Sequence, residues 1–248
     1  MGAWEGKAAL VAGGTRGTGL AVARALLARG CDVFLNYAHD ETAAKSAVTG
    51  LDHLPGTATA LRGDITDPAT LPRLLHTIRQ RHERLDVFVH SAASFHPMDA
   101  ADPAPDLMRT DLTTALAPLV QGVRPLVKAM AGGPGRIVAI SSNGARRVVP
   151  RYVSAGMAKA ALEAQVRYLA AELAPLGITV NAVSTARIDK GPGTADADLM
   201  RALAARTPAG RLTTPDDIAD VVTLLCADEA AWIHGQVITA DGGLSLRA

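Results

Sequence analysis

Apolar positions recur along this chain with two different periods. Short runs rich in Val, Ile, Leu and Ala, at residues 7–12, 32–37, 57–61, 85–90, 135–141, 178–183 and 236–240, are too brief for helices and read as strands. Between them lie longer stretches in which apolar residues return every three or four positions, the period of a helix with one buried face. The alternation predicts one α/β domain over residues 1–248, a doubly wound, seven-stranded parallel sheet flanked by helices. Helices are expected at 20–29, ending at Gly30, as one long element over 105–131, at 152–175, and at 216–226 after Thr214-Pro215. Right-handed crossovers leave ligands at the carboxyl ends of such strands, near the point where strand order reverses.

Composition narrows the partner rather than the fold. With 48% hydrophobic residues the chain can fill a large core, and its net charge of +1 comes from acids and bases that are well mixed. A nucleic-acid stripe, a polybasic membrane segment and a transmembrane run are all missing from the pattern, so a small molecule is the expected partner. Cys31 and Cys226 are far apart with no paired spacing, no metal site is expected, and residues 1–14 lack a cationic leader with a long apolar run. A reduced, cytoplasmic protein is the expectation.

The chemistry sits at the predicted strand ends. After the first strand comes Gly13-Gly14-Thr15-Arg16-Gly17-Thr18-Gly19 and then a helix. Glycines let the backbone approach a pyrophosphate, whose charge is favoured by the free N–H groups of the helix start, so a Rossmann-like dinucleotide site is expected here. The second strand ends at Asn36-Tyr37-Ala38-His39 without the carboxylate that would hold an unphosphorylated ribose. Arg16 and His39 can instead meet a 2′-phosphate, which favours NADPH over NADH, although Asp40 lies close by. Asp64 either accepts from an adenine amino group or caps the next helix, with Ile65 beside it. His90-Ser91-Ala92-Ala93 ends the fourth strand with small residues that admit a cofactor, and His90 is expected to be structural or a cofactor wall. Asp111, inside the long helical stretch, reads as part of a solvated face.

Residues 141–159 carry the most specific pattern. Tyr152 and Lys159 are seven apart, almost two helical turns, so both can lean toward one face of the 152–175 helix. A phenol beside an ammonium can protonate an oxygen that is gaining charge, because the cation stabilises the phenolate left behind. The same spacing also suits an interfacial Tyr with a solvated Lys.

Taken together, the glycine loop, Asp64, residues 90–93, Ser141-Ser142, Tyr152 with Lys159, Val180-Asn181-Ala182-Val183-Ser184 and Asp241-Gly242-Gly243 resemble the short-chain dehydrogenase/reductase family over essentially the whole chain. Most of that family places the catalytic tyrosine four residues before the lysine, and here that position is Ala155. Tyr-x6-Lys resembles the enoyl-acyl carrier protein reductase branch, as do residues 144–147, 150–152 and 159–168. The resemblance implies catalytic roles for Tyr152, Lys159 and Ser142, the last standing where ketoreductases keep a serine. Cofactor contacts are implied for Gly13, Thr15, Arg16, Gly17, Thr18, Gly19, Tyr37, His39, Asp64, Ile65, Ser91, Ala92, Lys159 and Ile188. Asp111 replaces the asparagine of a ketoreductase tetrad, and Lys190 replaces a threonine near the pyrophosphate.

The implied activity is NADPH-dependent reduction of an enoyl thioester, free or on acyl carrier protein. Carbonyl or imine reduction is the alternative, and a non-catalytic nucleotide-binding protein a further one. Residues 190–206 would cover the substrate, with Leu199, Met200 and Leu203 either lining an acyl tunnel or packing the cover. The family implies a homotetramer formed through the helices near 105–131 and 152–175.

Overall fold

A computed structural model describes residues 4–191 and 197–246. The seven apolar runs form β1 (Ala8–Ala12), β2 (Asp32–Tyr37), β3 (Ala58–Arg62), β4 (Val87–His90), β5 (Gly135–Ile140), β6 (Ile178–Ser184) and β7 (Val237–Thr239). All pair in parallel, in the order β3-β2-β1-β4-β5-β6-β7. The order reverses between β1 and β4, where Ala12 lies opposite both Asn36 and His90. A Rossmann-like, doubly wound sheet results, with its crevice at the carboxyl ends of those strands.

The helices are α1 (Gly17–Leu27), α2 (Glu41–Leu51), α3 (Thr70–Arg79), α4 (Pro105–Val120), α5 (Val123–Met130), α6 (Val153–Leu173), α7 (Ala197–Arg206) and α8 (Pro215–Cys226). They cover both faces of the sheet, which explains why the strands read as continuous apolar runs. Ala8, Leu10 and Ala12 of β1 face a core with Phe88, Ile137, Leu162 and Val166. Ala9 and Val11, one residue out of phase, face a second core with Val22, Leu26, Ile218 and Val222. Each Leu or Phe so buried is worth roughly 1.5–3 kcal/mol over its exposed state.

Two helix expectations are corrected. The long element over 105–131 is two helices, because Pro125 has no N–H for the Gln121 carbonyl and its ring obstructs that turn. The chain breaks at Gln121-Gly122 and restarts with Leu126 N–H on the Gly122 carbonyl, 3.0 Å away. Tyr152, expected inside a helix, stands just before α6 with non-helical backbone (φ −114°, ψ 12°). Of the expected substrate cover at 190–206, residues 192–196 lie outside the described residues, and 197–206 form α7.

Candidate active site

The glycine loop is shaped by backbone contacts at both ends. Gly13 has φ +74°, and a Cβ there would lie 2.9 Å from the Ala92 backbone; a Cβ on Gly19 would lie 2.1 Å from the Gly13 carbonyl oxygen. Only glycine allows this close packing of loop, helix and the β4 end. The Asn36 carbonyl accepts the N–H groups of Gly13 and Gly14, both at 3.1 Å, which pins the loop over β2. Helix α1 then starts without a side-chain cap and without an acid in its first turn. Its free N–H groups and positive end are open to an anion, which is what a dinucleotide pyrophosphate requires.

From this loop a cavity of about 1110 Å³ runs along the strand ends to Tyr152 and Lys159. Its walls include Gly13, Thr15, Arg16, Gly17, Thr18, Tyr37, His39, Asp64, Ile65, Ser91, Ala92 and Ile188, each expected to meet the cofactor. Gly19 is not on the wall; it is buried beneath the loop and acts by letting α1 approach. Asp64 accepts the N–H and hydroxyl of Thr66 through one carboxylate oxygen, at 2.9 and 2.7 Å. These bonds hold its carboxyl below the usual carboxylate range and order the wall. It does not cap α3. The residues fit a dinucleotide: a glycine cradle at one end, small residues in the middle, and a phenol with an ammonium at the other.

The reacting end is organised by β5 and the first turns of α6. Lys159 is buried and its Nζ donates to the Ile140 carbonyl at 2.7 Å, while burial pushes the ammonium down to about 8. One turn on, Glu163 is buried and accepts from Ser141 Oγ at 2.8 Å and from Arg146 Nε at 2.9 Å. The cavity wall at this strand end contains Ser141, whereas Ser142 is off it. Ser142 Oγ accepts the Gly144 N–H at 3.2 Å and caps the short 3-10 turn Asn143–Ala145.

Tyr152 is the N-cap of α6, its carbonyl accepting the Gly156 N–H at 2.7 Å, and its ring is held from outside the helix. It packs on Phe95, ring centroids 5.1 Å apart, and fills the space that a Cβ on Gly144 would need. Arg151 just before it has φ +57°, the one non-glycine residue with positive φ among the described residues, a conformation that costs roughly 1 kcal/mol or more. The Arg151 carbonyl accepts the Met98 N–H at 3.2 Å, so this unfavourable turn is tied to the loop after β4.

A buried carboxylate joins these pieces. Asp111 was expected on a solvated face, but it is 2% exposed. Its Oδ2 accepts Ser154 Oγ at 2.7 Å and the His96 N–H at 3.1 Å; its Oδ1 accepts His96 Nδ1 at 2.8 Å. Burial pushes its carboxyl up, but hydrogen bonds from Ser154, Ser94 and His96 outweigh that and leave it below the usual value. Asp111 thus ties α4 to the first turn of α6 and to the loop that carries Phe95. Its phase was visible in the sequence: Asp111, Ala115 and Leu119 fall at i, i+4 and i+8, and all three are buried. His90 is also buried, with Nε2 donating to the Ala115 carbonyl at 2.8 Å. Burial, reinforced by the Lys159 charge, pushes its imidazole down to about 4, so it is neutral at pH 7 and has a structural place beneath Lys159.

Comparison with known proteins agrees with this architecture. A family model described as Enoyl-(Acyl carrier protein) reductase matches residues 12–245. The chain belongs to the short-chain dehydrogenase/reductase family. This short-chain dehydrogenase/reductase is 36% identical over 244 residues to 1-cyclohexenylcarbonyl-CoA reductase of Streptomyces collinus, covering 96% of this chain and 87% of that protein. It is 33% identical over 258 residues to the 3-oxoacyl-(acyl-carrier-protein) reductase of Salmonella typhimurium, covering 97% and 98%. Among solved structures, a short-chain type dehydrogenase/reductase from Mycobacterium ulcerans superposes with a TM-score of 0.92 at 26% identity, covering 98% of this chain and 91% of that one. A mutant of a Serratia marcescens short-chain dehydrogenase/reductase gives 0.90 at 28% identity, covering 98% and 99%. Members of the family are oxidoreductases that use a nicotinamide dinucleotide, and this one is an enzyme of that type.

Proposed function

We propose that this enzyme is an NADPH-dependent reductase of the carbon–carbon double bond of an enoyl thioester. One observation carries the reading: the phenol at the Lys159 end of the cavity is Tyr152, presented from the residue before α6, while the usual tyrosine position, Ala155, is buried and bears no polar group. When bound, the reduced nicotinamide supplies a hydride. In ketone reduction the carbon receiving it carries the oxygen, whereas in enoyl reduction hydride goes to the β-carbon and charge gathers on the thioester oxygen, two atoms further away. A proton donor set back by three residues suits the second geometry, since three helical residues span about 4.5 Å. Tyr152 would donate to that oxygen, and Lys159, aimed by the Ile140 carbonyl, would favour the enolate and hold the nicotinamide ribose. The name of the Streptomyces relative supports the reading, because a 1-cyclohexenylcarbonyl thioester is α,β-unsaturated.

NADPH is favoured because Arg16 and His39 line the cavity, while Asp40, on the same wall, already accepts the Ala43 N–H at 2.9 Å as the cap of α2. Comparison of KM for the two cofactors checks this, and a clear preference for NADH would overturn it. The acyl group is proposed to arrive as a thioester on coenzyme A or a carrier protein. Exposed Leu107 and Val120 on α4 and Met157 and Tyr168 on α6 support assembly through those helices into a tetramer, which light scattering reads directly. No helix among the described residues is long and apolar enough to cross a membrane.

The second reading, 3-ketoacyl reduction, is favoured by the Salmonella relative. Following NADPH absorbance with a trans-2-enoyl thioester and, separately, a 3-ketoacyl thioester decides between them. Turnover of the enoyl substrate is expected, and turnover of the keto substrate alone overturns the proposal. Tyr152→Phe should lower kcat by about 10²-fold or more.

A further inference from the structure

A second cleft, of about 240 Å³ and with several charged side chains on its walls, lies at the opposite end of the sheet from Tyr152 and Lys159. It opens at the amino-terminal ends of β1, β4 and β5, and its walls are Trp4, Lys7, Arg84, Asp86, Val87, Pro134, Arg136, Cys226 and Asp228. Arg84 and Asp86 are committed: Arg84 donates to Asp86 at 2.8 Å and to the Met130 and Pro134 carbonyls at 2.9 and 2.8 Å. Asp86 also accepts the Ala8 N–H at 2.8 Å.

The other two cations are not satisfied in this way. The Arg136 side chain is 6% exposed, its Nη1 donates to the neighbouring Gly135 carbonyl, and its Nη2 stands 3.6 Å from Asp228 Oδ1, beyond hydrogen-bond length. Lys7 Nζ stands 3.8 Å from the same oxygen and 5.0 Å from the centroid of the Trp4 ring. Two cations therefore face one carboxylate across a gap, and that carboxylate belongs to a side chain 72% exposed on a surface turn. A buried guanidinium with so little to donate to is costly, and an acceptor with several oxygens would satisfy it together with the lysine.

We propose that this cleft binds a tetrahedral oxyanion of the size of inorganic phosphate, held between Arg136 and Lys7, with Asp228 turned out to solvent. Asp228 competes with the anion for the same two cations. It follows that removing its charge tightens binding, an outcome opposite to what loss of a stabilising ion pair alone would give.

The chain has two tryptophans, and Trp232 is 96% exposed, so Trp232→Phe leaves Trp4 in the cleft wall as the reporter. Phosphate is titrated into this variant at constant ionic strength, with sodium chloride as the matched control and with excess NADP⁺ present so that the glycine loop is already occupied. A saturable change in Trp4 fluorescence is expected, half complete at about 1 mM phosphate. Asp228→Asn should lower that midpoint about tenfold, and Lys7→Met should raise it by about as much. An equal response to chloride would show anion screening only and overturn the proposal. So would an Asp228→Asn midpoint that is unchanged or higher, and this exposed substitution decides the matter even if Lys7→Met fails to fold.

Discussion

Asp111 offers a test in which a truncating and an isosteric substitution should separate. In Asp111→Ala four donors lose their acceptor: Ser154 Oγ, the Ser94 hydroxyl, the His96 N–H and His96 Nδ1. The imidazole, 35% exposed, can turn to water, but Ser154 is fully buried and the backbone N–H is fixed in the loop. Each buried donor left unpaired costs roughly 1–3 kcal/mol, and relief from burying a carboxylate returns part of it, so a net loss of about 2–4 kcal/mol is expected at pH 7. Asp111→Asn differs. Its carbonyl can serve Ser154 and the His96 N–H, while its NH₂ faces Nδ1, which accepts once the ring proton moves to Nε2. A loss of about 1 kcal/mol or less should follow. Urea unfolding of the three proteins at pH 7 measures this, and enoyl-thioester turnover should fall further in the alanine variant because Phe95 and Tyr152 lose their common anchor. Equal losses for Asn and Ala, or a loss for Ala below about 0.5 kcal/mol, would refute the reasoning. The pH dependence has a definite sign. Because the folded carboxyl is held below its ordinary value, its stabilisation is present above the ordinary carboxylate range and disappears as pH falls through the lowered value. The gap between wild type and Asp111→Ala should therefore narrow in acid.

Lys159 has its ammonium pushed from 10.5 to about 8, so the unfolded chain holds that proton more tightly and stability should rise by about 3 kcal/mol as pH climbs from 8 to 10.5. Over the same rise the turnover rate should fall as the cation is lost, and Lys159→Met should show neither change; unfolding and kcat/KM profiles read the two separately. His90 is pushed from 6.5 to about 4, so the protein should lose up to about 3 kcal/mol as pH falls through that interval, seen as a drop in urea midpoint between pH 7 and pH 4.5. His90→Asn should flatten that drop, and an unchanged acid slope would remove His90 from the explanation.

The apolar runs and the glycine loop are local features, and the sequence alone determined them: the strands are short, those in the middle of the sheet are buried on both faces, and a strand, glycine cluster and helix in succession leave few other conformations. Tyr152 and Lys159 were legible for the same reason, as a spacing within one stretch. What the spacing could not convey is that Tyr152 is placed by a loop, because its position depends on Phe95 and on the Met98 bond to Arg151, more than fifty residues apart in sequence. Asp111 shows the limit most clearly. A lone acid in a helix is ordinarily solvated, and only the meeting of Ser154, forty-three residues later, with His96 supplies enough donors to keep it charged in the interior. Of the Ser141-Ser142 pair the sequence pointed to Ser142, yet tertiary structure turned Ser141 toward the cavity wall and Glu163 and gave Ser142 to a turn, a choice made by the direction of the chain as it leaves β5. The second cleft was invisible for the same cause, since Lys7, Arg136 and Asp228 converge only when parallel strands bring their amino ends together.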